Sequence, residues 1–142
     1  MKIFLDTNVI IDRISEREGS YLANALFSYY NSGSDRLYAS FLSIANTAYI
    51  LRKTHTRLKL HDLIKDFLSE CCILPMNDMQ IYDALTCKSP DFEDSLQIMC
   101  AEQKGCDVIL TNNVTHFKDY TDIPVLTPAD FLSHASSTPA RL

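Results

Sequence analysis

Short apolar runs alternate with amphipathic segments along almost the whole chain, and that alternation restricts the fold more than any single motif does. The runs "KIFL" (residues 2 to 5), "LYAS" (Leu37 to Ser40), "CILPM", "DVILT" and "PVLT" have strand length and strand composition. Between them lie helical patterns. A short helix is expected from Val9. The stretch "GSYLANALFSYYNSG" carries Leu22, Ala25, Leu26 and Tyr29 at helical spacing and ends at Gly33. Ser40 is placed to cap "FLSIANTAYILRK", with Ile44, Ala48 and Leu51 on one face. In "RLKLHDLIKDFLSECC", Leu60, Leu63, Ile64, Phe67, Leu68 and Cys71 form an apolar stripe. Asn77 with Gln80 makes a capping box for "DMQIYDALTC". The segment "FEDSLQIMCAEQKG" turns Leu96, Met99 and Cys100 inward and stops at Gly105, while Thr127, Pro128 and Asp130 open a last helix. Such alternation predicts an α/β fold, a three-layer α/β/α sandwich around a parallel sheet of about five strands. Polar residues that follow the carboxyl ends of those strands then face one crevice.

The chain has 142 residues, 46% of them hydrophobic, which fits a single domain of roughly 100 to 150 residues. We assign the domain to residues 1–134 and read 135–142 as a frayed tail. A net charge of −5 without a long like-charge run argues against a protein that coats nucleic acid by counterion release alone. It does not exclude nucleases, whose carboxylates add to the acidic total. The five cysteines Cys71, Cys72, Cys87, Cys100 and Cys106 form no C-x-x-C pair. They read as free thiols of a reducing cytoplasm rather than a disulfide frame or zinc site. No apolar run approaches the roughly 18 residues of a membrane span, and the N-terminus enters a strand directly instead of forming a signal peptide.

The strand ends carry Asp6, Thr7 and Asn8, then Ser40 and Ser43, then Thr111, Asn112 and Asn113. The break "KSPDFED" adds Asp91, Glu93 and Asp94 at a helix start. Helix geometry puts Asp91 and Asp94 on one face and turns Glu93 about 100 degrees from Asp94. One of the three is expected to cap its own helix. Several carboxylates packed beside Asp6 repel unless something positive is present. A hard cation such as Mg²⁺ or Mn²⁺, as one or two ions, resolves that repulsion. The chemistry it implies is metal-assisted phosphodiester hydrolysis.

At these residues the chain becomes familiar. "FLDTNVIID", "DFEDSLQIMCAEQKGCDVILTNNVTHF" and "VLTPADFL", in that order, resemble the PIN-domain family, and the overall size resembles its VapC-type toxins. The resemblance implies a metal-dependent ribonuclease acting on single-stranded or structured RNA, often with an antitoxin encoded alongside. By position, Asp6 matches the family's first acid, Asp94 the acid opening the late helix, Thr111 the hydroxyl residue after the fourth strand, and Asn113 the polar residue two places on. The family's usual helix glutamate is Asn46 here, and an Asp that often precedes Phe in the fourth-strand loop is His116. A subset of PIN-like proteins is similar in combining such an Asn with "DFED".

In the catalytic reading, Asp6, Asp94, Glu93 and Asn46 carry the reaction, with Asp6, Asp94 and Asp91 on metal and Asn46 holding a metal-bound water. Asn8, Thr111, Asn113 and His116 then contact substrate or orient the ligands. His116 is read as a plain loop residue, a phosphate or metal contact, or a proton carrier. The alternative is a weakened PIN-like module that binds RNA or a protein partner without cleavage. A haloacid-dehalogenase phosphatase needs an acid where Asn8 stands, and a receiver domain needs an acidic pair and a late Lys that Asp12 and Pro128 do not supply. Arg52, Lys53, Arg57 and Lys59 form the one basic concentration, either a solvated helix end or a grip on an RNA backbone. Tyr29, Tyr30 and Tyr49 are expected in core or interface packing. The Tyr21 to Tyr30 helix, apolar on more than one side, suggests a homodimer or a bound antitoxin segment.

Overall fold

The computed structural model describes residues 1–15, 20–30 and 35–137. Its strands are β1 (Lys2–Leu5), β2 (Arg36–Ser40), β3 (Cys72–Leu74), β4 (Val108–Leu110) and β5 (Val125–Leu126). Its helices are α1 (Thr7–Ser15), α2 (Ser20–Tyr30), α3 (Phe41–Leu51), α4 (Arg57–Leu68), α5 (Asp78–Thr86), α6 (Phe92–Lys104) and α7 (Pro128–Ser137). The strands form one five-stranded sheet in the order β3-β2-β1-β4-β5, and every pairing is parallel. The expected three-layer α/β/α sandwich is the fold observed. Residues 135–137 continue α7, and Gly33, the expected stop for α2, lies outside the described residues.

Strand pleating sorts the core onto two sides. Ile3 and Leu5 of β1 join Val108 and Leu110 of β4 in a cluster with α1, α2, α4 and Phe131 of α7. Phe4 and Ile109 point the other way, onto Ile98, Cys100 and Ala101 of α6 and onto Phe117. The helix ends follow the local chemistry. Ser40 accepts from the Ser43 amide at 3.0 Å, Asn77 and Gln80 close the reciprocal capping box, and Gly105 ends α6 with φ of +71°, a conformation that favours glycine.

Two helical stripes differ from expectation. On α6 the buried face is Asp94, Gln97, Ile98 and Ala101, with Ser95 and Cys100 beside it, and Leu96 and Met99 are only half-buried. On α4, the last residue Leu68 is about half exposed, while Cys71 is buried beyond the helix end. All five cysteines are free thiols. Burial pushes the Cys71 thiol well up and holds Cys100 at about 12, which keeps both protonated.

The sheet order explains where a site forms. From β1 the chain runs outward through β2 to β3, then returns to place β4 on the opposite side of β1. The order therefore reverses between β1 and β4. A crevice opens beyond the carboxyl ends of those two strands, where Asp6 and Thr111 stand.

Candidate functional site

A cavity of about 370 Å³ lies at that reversal, and Asp6, Asn46, Tyr49, Glu93, Asp94 and His116 are among its lining. Asp6 follows β1 directly, and its backbone amide still bonds to Leu110 O at 2.9 Å, so the sheet fixes its position. Its Oδ1 accepts from the Thr7 amide at 2.7 Å. Its Oδ2 accepts from Thr111 Oγ1 at 2.7 Å and from Asn8 Nδ2 at 3.0 Å. Asn113 donates its amide to Thr111 Oγ1 at 3.0 Å, and Asn112 donates its own to Asn8 Oδ1 at 3.1 Å. The loop after β4 thus braces the groups that hold Asp6.

The first turn of α6 brings two more carboxylates. One oxygen from each of Asp6, Glu93 and Asp94 lies within 4.8 Å of the others. Adjacent helical positions differ by about 100 degrees, yet Glu93 and Asp94 each bring an oxygen within 4.8 Å of Asp6. Asp91 takes the cap instead, with Oδ1 accepting from the Glu93 amide at 2.8 Å. It lines the same cavity but stands outside the cluster.

Burial and mutual repulsion both register in the acids. Asp6 is 3% exposed, and that burial, reinforced by the charge of Glu93 and offset by the Thr111 bond, pushes its pKa up to about 6. Asp94 rises to about 7, chiefly through burial, although the contact with His116 lowers it. Among the described residues no Lys or Arg side chain pairs with any of the three carboxylates. Three carboxylate oxygens without a sulfur donor, two of them from buried acids and none beside a Lys or Arg, suit a hard divalent cation. The donor set fits one.

His116 ends a short 3-10 turn (Val114–His116) and sets Nδ1 3.0 Å from Asp94 Oδ2. It is therefore in direct contact with the acidic cluster. Asn46 donates from Nδ2 to Glu93 Oε1 at 3.0 Å, so that N–H is committed to a carboxylate rather than to a metal-bound water. Tyr49 lies outside the core: it is 65% exposed, because the inner face of α3 is Ser43, Thr47 and Leu51. The side chains of Tyr29 and Tyr30 lie outside the described residues. Among the described side chains of α2, Leu26 and Phe27 are buried and Tyr21 is 71% exposed, and α5 also carries exposed apolar residues, Met79, Ile81, Tyr82 and Leu85. Arg52, Lys53, Arg57 and Lys59 are all exposed, at the end of α3 and the start of α4.

Gln97 is the residue that sequence reasoning missed. It is fully buried. Its Nε2 lies 2.7 Å from Ser43 Oγ, 2.8 Å from Glu93 Oε1 and 3.2 Å from Thr7 Oγ1, and its Oε1 accepts from Ser40 Oγ at 2.6 Å. One amide ties the ends of β1 and β2 to the carboxylate on α6. The available signal was a glutamine at an inward position of an amphipathic helix, one turn after Glu93. Gln97→Met removes those partners at similar volume. It is expected to cost about 2 kcal/mol of stability and to weaken Mn²⁺ binding roughly tenfold, because Glu93 is released. Calorimetric titration with Mn²⁺ and denaturant unfolding measure the two effects separately.

The fold and this site define an α/β/α domain with a carboxylate cluster at the reversal point of its sheet. The chain belongs to the PIN domain family, whose match covers residues 2–115. It is 31% identical over 137 residues to Ribonuclease VapC1 of Aquifex aeolicus, spanning 92% of each chain. Its fold is similar to the chain in VapBC2 from Rickettsia felis bound to a promoter DNA fragment, with a TM-score of 0.70 at 17% identity over 89% of this chain and 98% of that one. VapBC-1 from nontypeable Haemophilus influenzae also gives 0.70, at 20% identity over 91% and 99%. VapC20 of Mycobacterium tuberculosis, a Sarcin-Ricin loop cleaving toxin, gives 0.61 at 13% identity over 75% and 86%.

Proposed function

We propose that this protein is an endoribonuclease that hydrolyses RNA phosphodiester bonds with Mg²⁺ or Mn²⁺, and that it is the toxin of a toxin–antitoxin pair. The cluster of Asp6, Glu93 and Asp94 carries the reading, supported by the likeness to a relative named as a ribonuclease. A divalent cation held there supplies charge neutralisation for the phosphodiester and a more acidic water. The chain's own groups do the rest. Asn8, Thr111 and the Thr7 amide fix both oxygens of Asp6. Asn46 and Gln97 hold Glu93 through Oε1, so that its carboxylate would be fixed in place to hold a cation. His116 orients Asp94, and Asn113 lines the cavity beside it.

In this reading the "DFED" turn supplies from α6 the charge that Asn46 does not supply from α3. That favours a working site over a weakened binding module. The antitoxin assignment rests on relatives solved as VapBC assemblies, and a homodimer through α5 rests on its exposed apolar side chains. We place the protein in the cytoplasm, in keeping with five free thiols. No helix among the described residues is long and apolar enough to cross a membrane.

Cleavage of mixed single-stranded RNA with Mn²⁺, Mg²⁺ or EDTA tests the reading. Products are expected with either cation and none in EDTA. Unchanged RNA in every lane, with no gain in heat stability from Mn²⁺, would leave the binding module standing.

A further inference from the structure

The reach of the cavity along α3 bears on how RNA is held. Asn46, which bonds Glu93, is followed on the same helix face by Tyr49 and Ile50, at the i+3 and i+4 positions. Both line the cavity. Three residues of helix rise roughly 4.5 Å, so Tyr49 stands about one turn from Asn46, whose amide bonds Glu93. Its ring is 65% exposed, and the Arg52 guanidinium carbon lies 3.6 Å from the ring centroid. Arg52 also donates to the Tyr49 carbonyl, which holds the guanidinium in place.

We propose that Tyr49 and Arg52 form a stacking subsite for the unpaired nucleobase that flanks the scissile phosphate. This rests on the ribonuclease reading for the phosphate's position, and it names single-stranded RNA as the preferred substrate form. Unpaired bases stack on aromatic rings and on Arg planes, and here the two are layered at the edge of the acidic cavity. Charge favours this occupant. Arg52 and the exposed Lys53 beside it supply cations for the RNA backbone next to a pocket whose charged lining, His116 apart, is Asp6, Asp91, Glu93 and Asp94. A two-fold contact centred on the same face would instead bring Arg52 and Lys53 towards their own copies.

The chain contains no tryptophan, so Tyr49→Trp installs a lone fluorescent reporter at the subsite. In EDTA, a short labelled RNA is titrated in single-stranded and duplex forms, with binding followed by anisotropy of the label. Saturable quenching by the single strand and little by the duplex is expected. Tyr49→Ala is expected to weaken single-strand binding about tenfold, with Tyr49→Phe within about twofold of the wild type. RNA binding with unchanged emission overturns the subsite, as does the absence of RNA binding. Emission that changes with protein concentration alone also overturns it, since Tyr49 then packs on a second copy. Quenching in a protein that never cleaves keeps the subsite and sinks the nuclease, while cleavage without quenching does the reverse.

Discussion

Asp6→Asn and Asp94→Asn are each expected to lower RNA cleavage by at least about two orders of magnitude. Loss of a group that merely supports a metal ligand costs roughly 10- to 100-fold, and these carboxylates are assigned as the ligands themselves. The asparagine is nearly isosteric. At position 6 it keeps an oxygen for the Thr7 amide, while its new amide nitrogen faces the Thr111 hydroxyl, which can turn to accept, and the Asn8 amide, which donates to that position in the wild type. It removes a charge that burial disfavours. The relief of a buried charge and the donor facing Asn8 oppose each other, so the variant should melt near the wild-type temperature while losing activity and its stability gain from Mn²⁺. That pairing separates lost chemistry from lost folding. Equal cleavage by wild type and both variants would remove Asp6 and Asp94 from the reaction, and a large fall in Tm would mark Asp6 as a structural acid.

The second large effect concerns pH. Both acids have folded pKa values above the ordinary 3.8, at about 6 for Asp6 and about 7 for Asp94. Below the ordinary value folded and unfolded chains are both protonated at these positions, so nothing is lost. Between it and the folded values, the unfolded chain gives up protons that the folded chain keeps, and ionisation favours unfolding. The metal-free protein is thus expected to lose stability from about pH 4 to about pH 7, with Asp6 alone accounting for on the order of 3 kcal/mol. Cation binding needs the ionised form. The stability gained from Mn²⁺ should therefore be small near pH 5 and reach roughly 2.7 kcal/mol near pH 8 at a hundred times its Kd. Thermal unfolding across that range, with EDTA and with Mn²⁺, measures both. A Tm that climbs through the window with no Mn²⁺ gain at its upper end would contradict the account of buried, uncompensated carboxylates.

Much of the site was legible because its acids sit where local patterns change. Asp6 ends a strand, and "DFED" opens a helix. The division of labour within "DFED" was not legible, since a helical wheel fixes angles about the helix's own axis and says nothing of what that axis faces. Asp91 and Asp94 share a face by spacing, yet Asp91 precedes the first helical residue and caps it, and Glu93 enters the cluster instead. Tyr49 shows the same limit. Its place in an apolar helix suggested core or interface packing, but within the chain α3 packs through Ser43, Thr47 and Leu51, leaving Tyr49 among the residues that line the cavity.

By itself the sequence determined the succession of strands and helices, the caps at Ser40, Asn77 and Gly105, the α/β/α class and the placement of Asp6 at a strand end. Each depends on residues within about a turn of one another, where periodicity and capping act. Only the tertiary structure decided that β4 lies beside β1, that Glu93 and Asp94 both reach Asp6, that Gln97 joins Ser40, Ser43, Thr7 and Glu93, and that His116 meets Asp94. Those contacts join segments up to a hundred residues apart. They are set by how the apolar faces of the sheet and helices fill one core, a many-body fit that no local pattern encodes.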